Sequence, residues 1–152
     1  MLQLASPSDR EQVNALARQV HEMHVDWRPD IFEMPEELYP EDRFLEAIGS
    51  RSLYVAKLED AVIGYALVSR RSYEGRLGMV NRRVMVIEEL CVEESLRGQG
   101  FGQEIVADIH ALARAFRCTD LQLGVYPQND DAVGFYQKCG FTIRSIEMQK
   151  KL

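Results

Sequence analysis

Between Ser95 and Glu104 the chain reads SLRGQGFGQE, with Gly98, Gly100 and Gly102 alternating behind Arg97. Clustered glycine lets another molecule approach the backbone. An apolar run with strand composition, Arg83–Val92, precedes the segment, and a run with Phe101, Ile105, Ile109, Leu112 and Phe116 on one helical face follows it. A strand, a glycine turn and a helix together aim unpaired N–H groups, and the positive end of the helix dipole, at phosphate. A Walker loop needs Lys and Ser or Thr after its last glycine, and here Gln103 and Glu104 follow. A dinucleotide fingerprint needs a third glycine at 103 or 105, where Gln103 and Ile105 stand. The pattern R/Q-x-x-G-x-G/A is met by Arg97, Gly100 and Gly102.

Other chemical side chains are sparser. Glu88 and Glu89 sit side by side in the strand VIEELCV, and strand neighbours face opposite ways, so one of them is expected to enter a site. His21-Glu22-Met23-His24 falls short of the zinc form HExxH because Val25 stands where the second histidine belongs. With no third ligand in view, no metal is expected, and the pair reads as a helix-face histidine pair placed to touch substrate. Cys91 has no adjacent histidine to activate it. Cys118 and Cys139 fall at helix ends and read as buried and inert. Three cysteines without framework spacing imply reduced thiols and a cytoplasmic protein.

The elements that must position these residues come from periodicity. Composition, 46% hydrophobic and 28% charged over 152 residues, is that of one globular domain, 1–152. No apolar run is long enough for a membrane span, and the start MLQLASPSDREQ lacks the form of a secretory signal. The net charge of −6 disfavours nucleic acid as a partner. Ser8-Asp9-Arg10-Glu11 has capping-box form, opening a helix from Asp9 to His24. A second helix is expected over Glu36–Ile48, then strands at Leu53–Leu58, Val62–Ser69 and Arg83–Val92. A third helix follows the glycines, then a strand Leu121–Tyr126, a helix Asp130–Cys139 closed by Gly140, and a last strand Phe141–Met148. Hairpin-joined strands followed by βαβ-like units predict a mixed α/β or α+β domain around one sheet. Between Ser69 and Arg83 five arginines stand against Glu74 and read as a solvated face.

The segment LCVEESLRGQGFGQEIV resembles the acetyl-CoA signature of the GNAT family of N-acetyltransferases. VYPQNDDAVGFYQKCGF is similar to that family's later segment N-x-x-A-x-x-F-Y-x-x-x-G-F, which Asn129, Ala132, Phe135, Tyr136, Gly140 and Phe141 match. The likeness runs from about Val84 onward; the first 80 residues agree in element order only. It implies a single, mostly antiparallel mixed sheet with flanking helices, the GNAT-like acyl-CoA N-acyltransferase fold, with acetyl-CoA as co-substrate. By the resemblance, Arg97, Gly98, Gln99, Gly100, Phe101 and Gly102 hold its pyrophosphate. Leu90, Cys91 and Val92 pair with its pantetheine arm, Leu90 N–H polarises the acetyl carbonyl, and Asn129 and Tyr136 complete the site. The amine attacks directly, and Tyr136 takes the family's general-acid place.

A lysine-like amine has a pKa of about 10.4, so roughly 1 molecule in 2,500 is neutral at pH 7, a deficit of about 4.6 kcal/mol. A base therefore matters. Related polyamine acetyltransferases place a glutamate four residues before the valine matching Val92, which is Glu88; Glu89 is the alternative. In such families acceptor specificity lies between the first two helices, here HEMHVDWRPDIFEMPEELYPED. Its Asp26, Trp27, Asp30, Phe32, Glu33 and Tyr39 combine acid with aromatics and suit a small cationic amine. A peptide or protein amine is the alternative, and a non-catalytic acyl-CoA-binding sensor is the reading of another class. WRPDIF resembles bacterial members. Two-fold dimers are common among relatives, and the last strand is placed to pair across such a homodimer interface.

Overall fold

A computed structural model describes all 152 residues. Five strands form one sheet in sequence order: β1 (Leu2–Leu4), β2 (Leu53–Leu58), β3 (Ala61–Tyr73), β4 (Arg82–Val92) and β5 (Asp120–Leu123). The first four are antiparallel neighbours, and β5 runs parallel to β4. Helices α1 (Arg10–Trp27) and α2 (Glu41–Gly49) cover one face, where Val13, Leu16, Phe44, Leu53, Val55, Tyr65 and Cys91 share a buried cluster. Helix α3 (Phe101–Ala115) covers the other with Ile105, Ile109 and Ala113 on Ala56, Ala66, Met85 and Ile87. Burying both faces explains why β2 to β4 are nearly continuous apolar runs. Gly64 of β3 lies beneath α3: a Cβ there would stand 2.7 Å from Cys91 O and 2.9 Å from Ile105 Cδ1. Helix α4 (Asp130–Lys138) follows β5. No helix is long and apolar enough to cross a membrane.

Several expectations are corrected. The expected helix over Glu36–Ile48 begins at Glu41, because Pro40 takes the N-cap and disfavours helical backbone at Tyr39 before it. The capping box is Ser6 with Asp9 rather than Ser8 with Glu11: Asp9 Oδ2 accepts from Ser6 N and Ser6 Oγ, both at 2.9 Å. Burial opposes the Asp9 carboxylate, yet Lys57 at 2.7 Å and these Ser6 bonds hold its pKa below the usual range. β5 ends at Leu123 instead of Tyr126.

Phe141–Met148 is not a strand. Beyond Phe141 N–H, which donates to Tyr136 O, its backbone joins no ladder, and Ile143, Ile146 and Met148 are 72, 82 and 94% exposed. A single copy offers these side chains no second layer to bury against. The Ser69–Arg83 arginines are mostly committed within the chain. Arg70 stacks on Phe116 and donates to Ser50 O, Arg71 pairs with Glu88, Arg82 with Asp120 and Arg83 with Glu74.

Candidate active site

The loop behind Arg97 forms a row of free donors. Gly98 and Gly100 have φ of +77° and +94°, a region that favours glycine, and a Cβ on either would meet nothing within 4 Å. Gly100 is the N-cap of α3, and the first N–H of that helix to find a carbonyl is that of Glu104, on Gly100 O (3.1 Å). The N–H groups of residues 98 to 103 therefore donate to nothing in the chain, and the positive end of the helix dipole lies among them. Such a nest suits a phosphate or pyrophosphate anion. Gly102 does different work: a Cβ there would stand 3.0 Å from the Phe135 ring, so its bareness lets α4 dock against the start of α3. Phe101 packs on the α3-side cluster, and Gln99 Nε2 donates to Ser95 O at 3.3 Å. Arg97 Nε donates to Val92 O at 3.0 Å and ties the loop to the end of β4.

That end of β4 has one free edge. Parallel pairing with β5 runs from Val84↔Asp120 to Ile87↔Leu123 and then stops, whereas pairing with β3 continues to Val92↔Gly64. Leu90, Cys91 and Val92 are thus laddered on one side and open on the other. The Cys91 side chain turns away into the α1 layer, where its thiol donates to Leu16 O (3.5 Å) and burial pushes its pKa up to about 11. Such a thiol is no nucleophile.

Both glutamates lie on the same face of the sheet, against the alternation expected from sequence. Leu67 pairs with Glu89 and Val68 with Ile87, so Glu88 is the extra residue of a β-bulge. Glu88 bonds Ser69 Oγ and pairs with Arg71 (3.4 Å), while Glu89 Oε2 accepts from Tyr39 Oη (2.7 Å) and Tyr65 Oη (2.8 Å). Tyr65, Ser69 and Arg71 are alternate residues of β3, which fixes the shared face. Arg43 closes the Glu89 network at 3.4 Å and stacks over Tyr39 at 4.4 Å. Tyr39, read from sequence as part of a solvent rim, is 1% exposed. Burial, then the Glu89 charge, drives both phenol pKa values far up, so both remain donors.

On α4, Asn129 caps the helix by accepting from Ala132 N (3.1 Å). Tyr136 packs edge-on between Phe135 (5.1 Å) and Phe141 (5.6 Å), and its hydroxyl bonds nothing in the chain. Burial raises its pKa to about 12, which keeps the phenol protonated at neutral pH.

Where the sequence predicts acceptor residues, Trp27 and Phe32 come together with His24, whose helix-face pair reads as placed to touch substrate, and with Tyr126, which sequence reasoning left out. Asp26 is exposed, but Asp30 is already committed to Arg28 (2.8 Å) and Lys151 (3.3 Å), and Arg28 holds its carboxyl well below the usual range. Tyr126 lies past the end of β5, and nothing in its spacing could have signalled its contact with α1.

Residues 18–141 match the acetyltransferase (GNAT) family. Glucosamine 6-phosphate N-acetyltransferase 1 of Oryza sativa subsp. japonica is 30% identical over 109 residues, 68% of this chain. The match covers 61% of the rice protein, so the chain spans less than two thirds of that relative. The structure of a mutant BH1408 protein from Bacillus halodurans superposes with a TM-score of 0.93 at 30% identity, covering 100% of this chain and 99% of that one. An aminoglycoside N-acetyltransferase in complex with CoA shares the fold, with a TM-score of 0.70 at 17% identity over the full length of both chains.

Proposed function

Because the chain belongs to the acetyltransferase (GNAT) family, we propose that it transfers the acetyl group of acetyl-CoA directly to a primary amine, and that the amine is small and cationic. The observation that carries this reading is one juxtaposition. A nest of free N–H groups at residues 98 to 103 adjoins the open edge of β4, and two glutamates stand on the α1 face of the same strand. Acetyl-CoA supplies an activated acetyl thioester. Arg97, Gly98, Gln99, Gly100, Phe101 and Gly102 would hold its pyrophosphate, and Leu90, Cys91 and Val92 would offer backbone groups to its arm. Asn129 and Tyr136 lie on the helix docked beside the loop.

Leu90 N–H serves as the oxyanion donor. Glu88, on the bulge and open to solvent, receives the amine's proton, directly or through water. Tyr136 donates to the departing sulfur. Its phenol is a weaker acid than an ordinary tyrosine, so it works mainly as a hydrogen-bond donor to the developing thiolate. Tyr136→Phe should lower kcat about tenfold and leave the KM for acetyl-CoA nearly unchanged; steady-state kinetics with an unchanged kcat would remove Tyr136 from the mechanism.

Asp26, Trp27, Asp30 and Phe32 form the acceptor side with Glu88, Asp30 by fixing the Arg28 turn. The rice relative and the aminoglycoside enzyme are both named for small amine-bearing molecules, which supports a small acceptor. A panel of spermidine, an aminoglycoside, free amino acids and short peptides tests this. Saturable turnover of a polycation, with KM raised by about 0.5 M salt, is expected; turnover confined to peptides, without a salt effect, would overturn it. Three unpaired cysteines fit a cytoplasmic setting.

The second copy in this reading is a homodimer partner. The outer edge of β5 is unpaired, and Ile143, Ile146 and Met148 lie exposed beside it. Sedimentation should give a dimer at micromolar concentration and a monomer for Ile143→Arg/Ile146→Arg; a monomeric parent chain would reject the pairing.

A further inference from the structure

At the last turn of α1 four rings meet above the point where β5 leaves the sheet. His24 stacks on Phe32 (5.3 Å, 28°), with Trp27 at 5.9 Å and Tyr126 at 6.0 Å. Phe32 meets Tyr126 edge-on at 6.1 Å. All four are half-buried, and none belongs to either core cluster. The patch is thus not part of what holds the layers together. Two acids lie near it: Asp26, exposed and without an ion pair, and Glu89 of β4, which is paired with Arg43 and within electrostatic reach of His24, while Arg28 and Lys151 share Asp30. Aromatic faces with anions nearby attract an ammonium group.

We propose that this patch seats the cationic head of the acceptor amine, and that His24 gates it: the neutral imidazole admits the cation and the charged one repels it. The inference rests on the acetyl-transfer reading and adds how that site selects and regulates its acceptor. Burial first, then His21 with its ring 6.4 Å away, favours neutral His24, with Glu89 pulling the other way; the balance lies below the usual histidine value. The groups around His24 are His21 on its own helix, Arg28 one turn on sharing Asp30 with Lys151, Glu89 from β4 paired with Arg43, and Tyr126 from beyond β5. His24 is therefore neutral at neutral pH and takes up its proton at a lower pH than an ordinary histidine. An amine with a pKa of about 10 stays cationic at either pH. A change in its binding then belongs to the protein.

Trp27 is the chain's only tryptophan, and a charged imidazole beside an indole quenches its fluorescence. The full chain is titrated from about pH 8 to pH 5, with and without spermidine, as the parent, His24→Phe, His24→Asn and His21→Gln, each checked for fold by circular dichroism. The parent should show one quench with a midpoint below that of an ordinary histidine, moved lower by spermidine. His21→Gln should keep that quench and both His24 variants should lose it. In thiol-release assays the spermidine KM should rise about threefold or more across the pH range of that quench in the parent and stay flat in His24→Phe, with the acetyl-CoA KM alike in both. A pH-flat parent, a quench surviving in both His24 variants, or spermidine without effect on Trp27 would overturn the gate. If the fluorescence arms succeed and no amine turns over, the acetyl-transfer reading falls, the acceptor role falls with it, and a pH-gated cation seat alone is left; turnover with failed fluorescence arms sinks the gate alone.

Discussion

Glu88→Gln lowers kcat at pH 7 about a hundredfold or more and leaves the KM for acetyl-CoA nearly unchanged. The reason is the amine's proton: at pH 7 an alkylamine is almost wholly ammonium, and the deficit of neutral nucleophile is about 4.6 kcal/mol. The β-bulge turns Glu88 to the face that Glu89 also occupies, and leaves it open to solvent beside Ser69 and Arg71. Glutamine keeps the shape and removes the proton acceptor. The defect should shrink as pH rises toward the amine's own pKa of about 10, where the solvent does the deprotonating. Glu89→Gln is the comparison. Its carboxylate is held by Tyr39, Tyr65 and Arg43, so its loss should reduce stability and leave the pH slope of kcat intact. The opposite pattern would transfer the role of base to Glu89.

Gly100→Val raises the KM for acetyl-CoA about a hundredfold, which at about 1.4 kcal/mol per tenfold is about 2.8 kcal/mol. Two effects combine. Gly100 has φ of +94°, where a β-branched residue is strained, so the loop shifts and its N–H groups lose their common aim. The new side chain also projects from the middle of the nest into space that nothing of the protein fills. Hydrogen bonds to a charged group contribute about 1.5–3 kcal/mol each, so losing one or two accounts for the change. Gly75→Val serves as control: φ there is +65° and the surroundings are equally open, but the residue lies in the β3–β4 connection. It should cost stability and leave the KM alone. An equal rise in KM for both variants would show that strain alone, not the nest, is being measured.

Much of the donor side could be read from the chain. The glycine turn needs only its own local geometry, and the strand before it and helix after it announce themselves by periodicity. The acceptor side was less legible because it depends on pairing between distant segments. The alternation of strand side chains predicted opposite faces for Glu88 and Glu89. The bulge that unites them arises from register with Leu67 and Val68, which no local pattern in β4 reveals. Tyr39 looked like a rim residue amid acidic neighbours, but it is itself buried and its hydroxyl has a partner 50 positions away. Gly102 looked like a third phosphate glycine, yet its closest neighbour is Phe135 of α4. Phe141–Met148 has strand composition, yet its backbone joins no ladder although the outer edge of β5 is free, so propensity alone misled.

Thiol release from acetyl-CoA, followed with and without a saturating polyamine and paired with mass spectrometry of the amine, tests the central claim most directly. Release that depends on the amine, saturates with it and matches N-acetylated product one for one is the predicted result. Slow release indifferent to every amine, with acetyl-CoA still bound, would contradict acetyl transfer and leave a protein that binds acyl-CoA without using it.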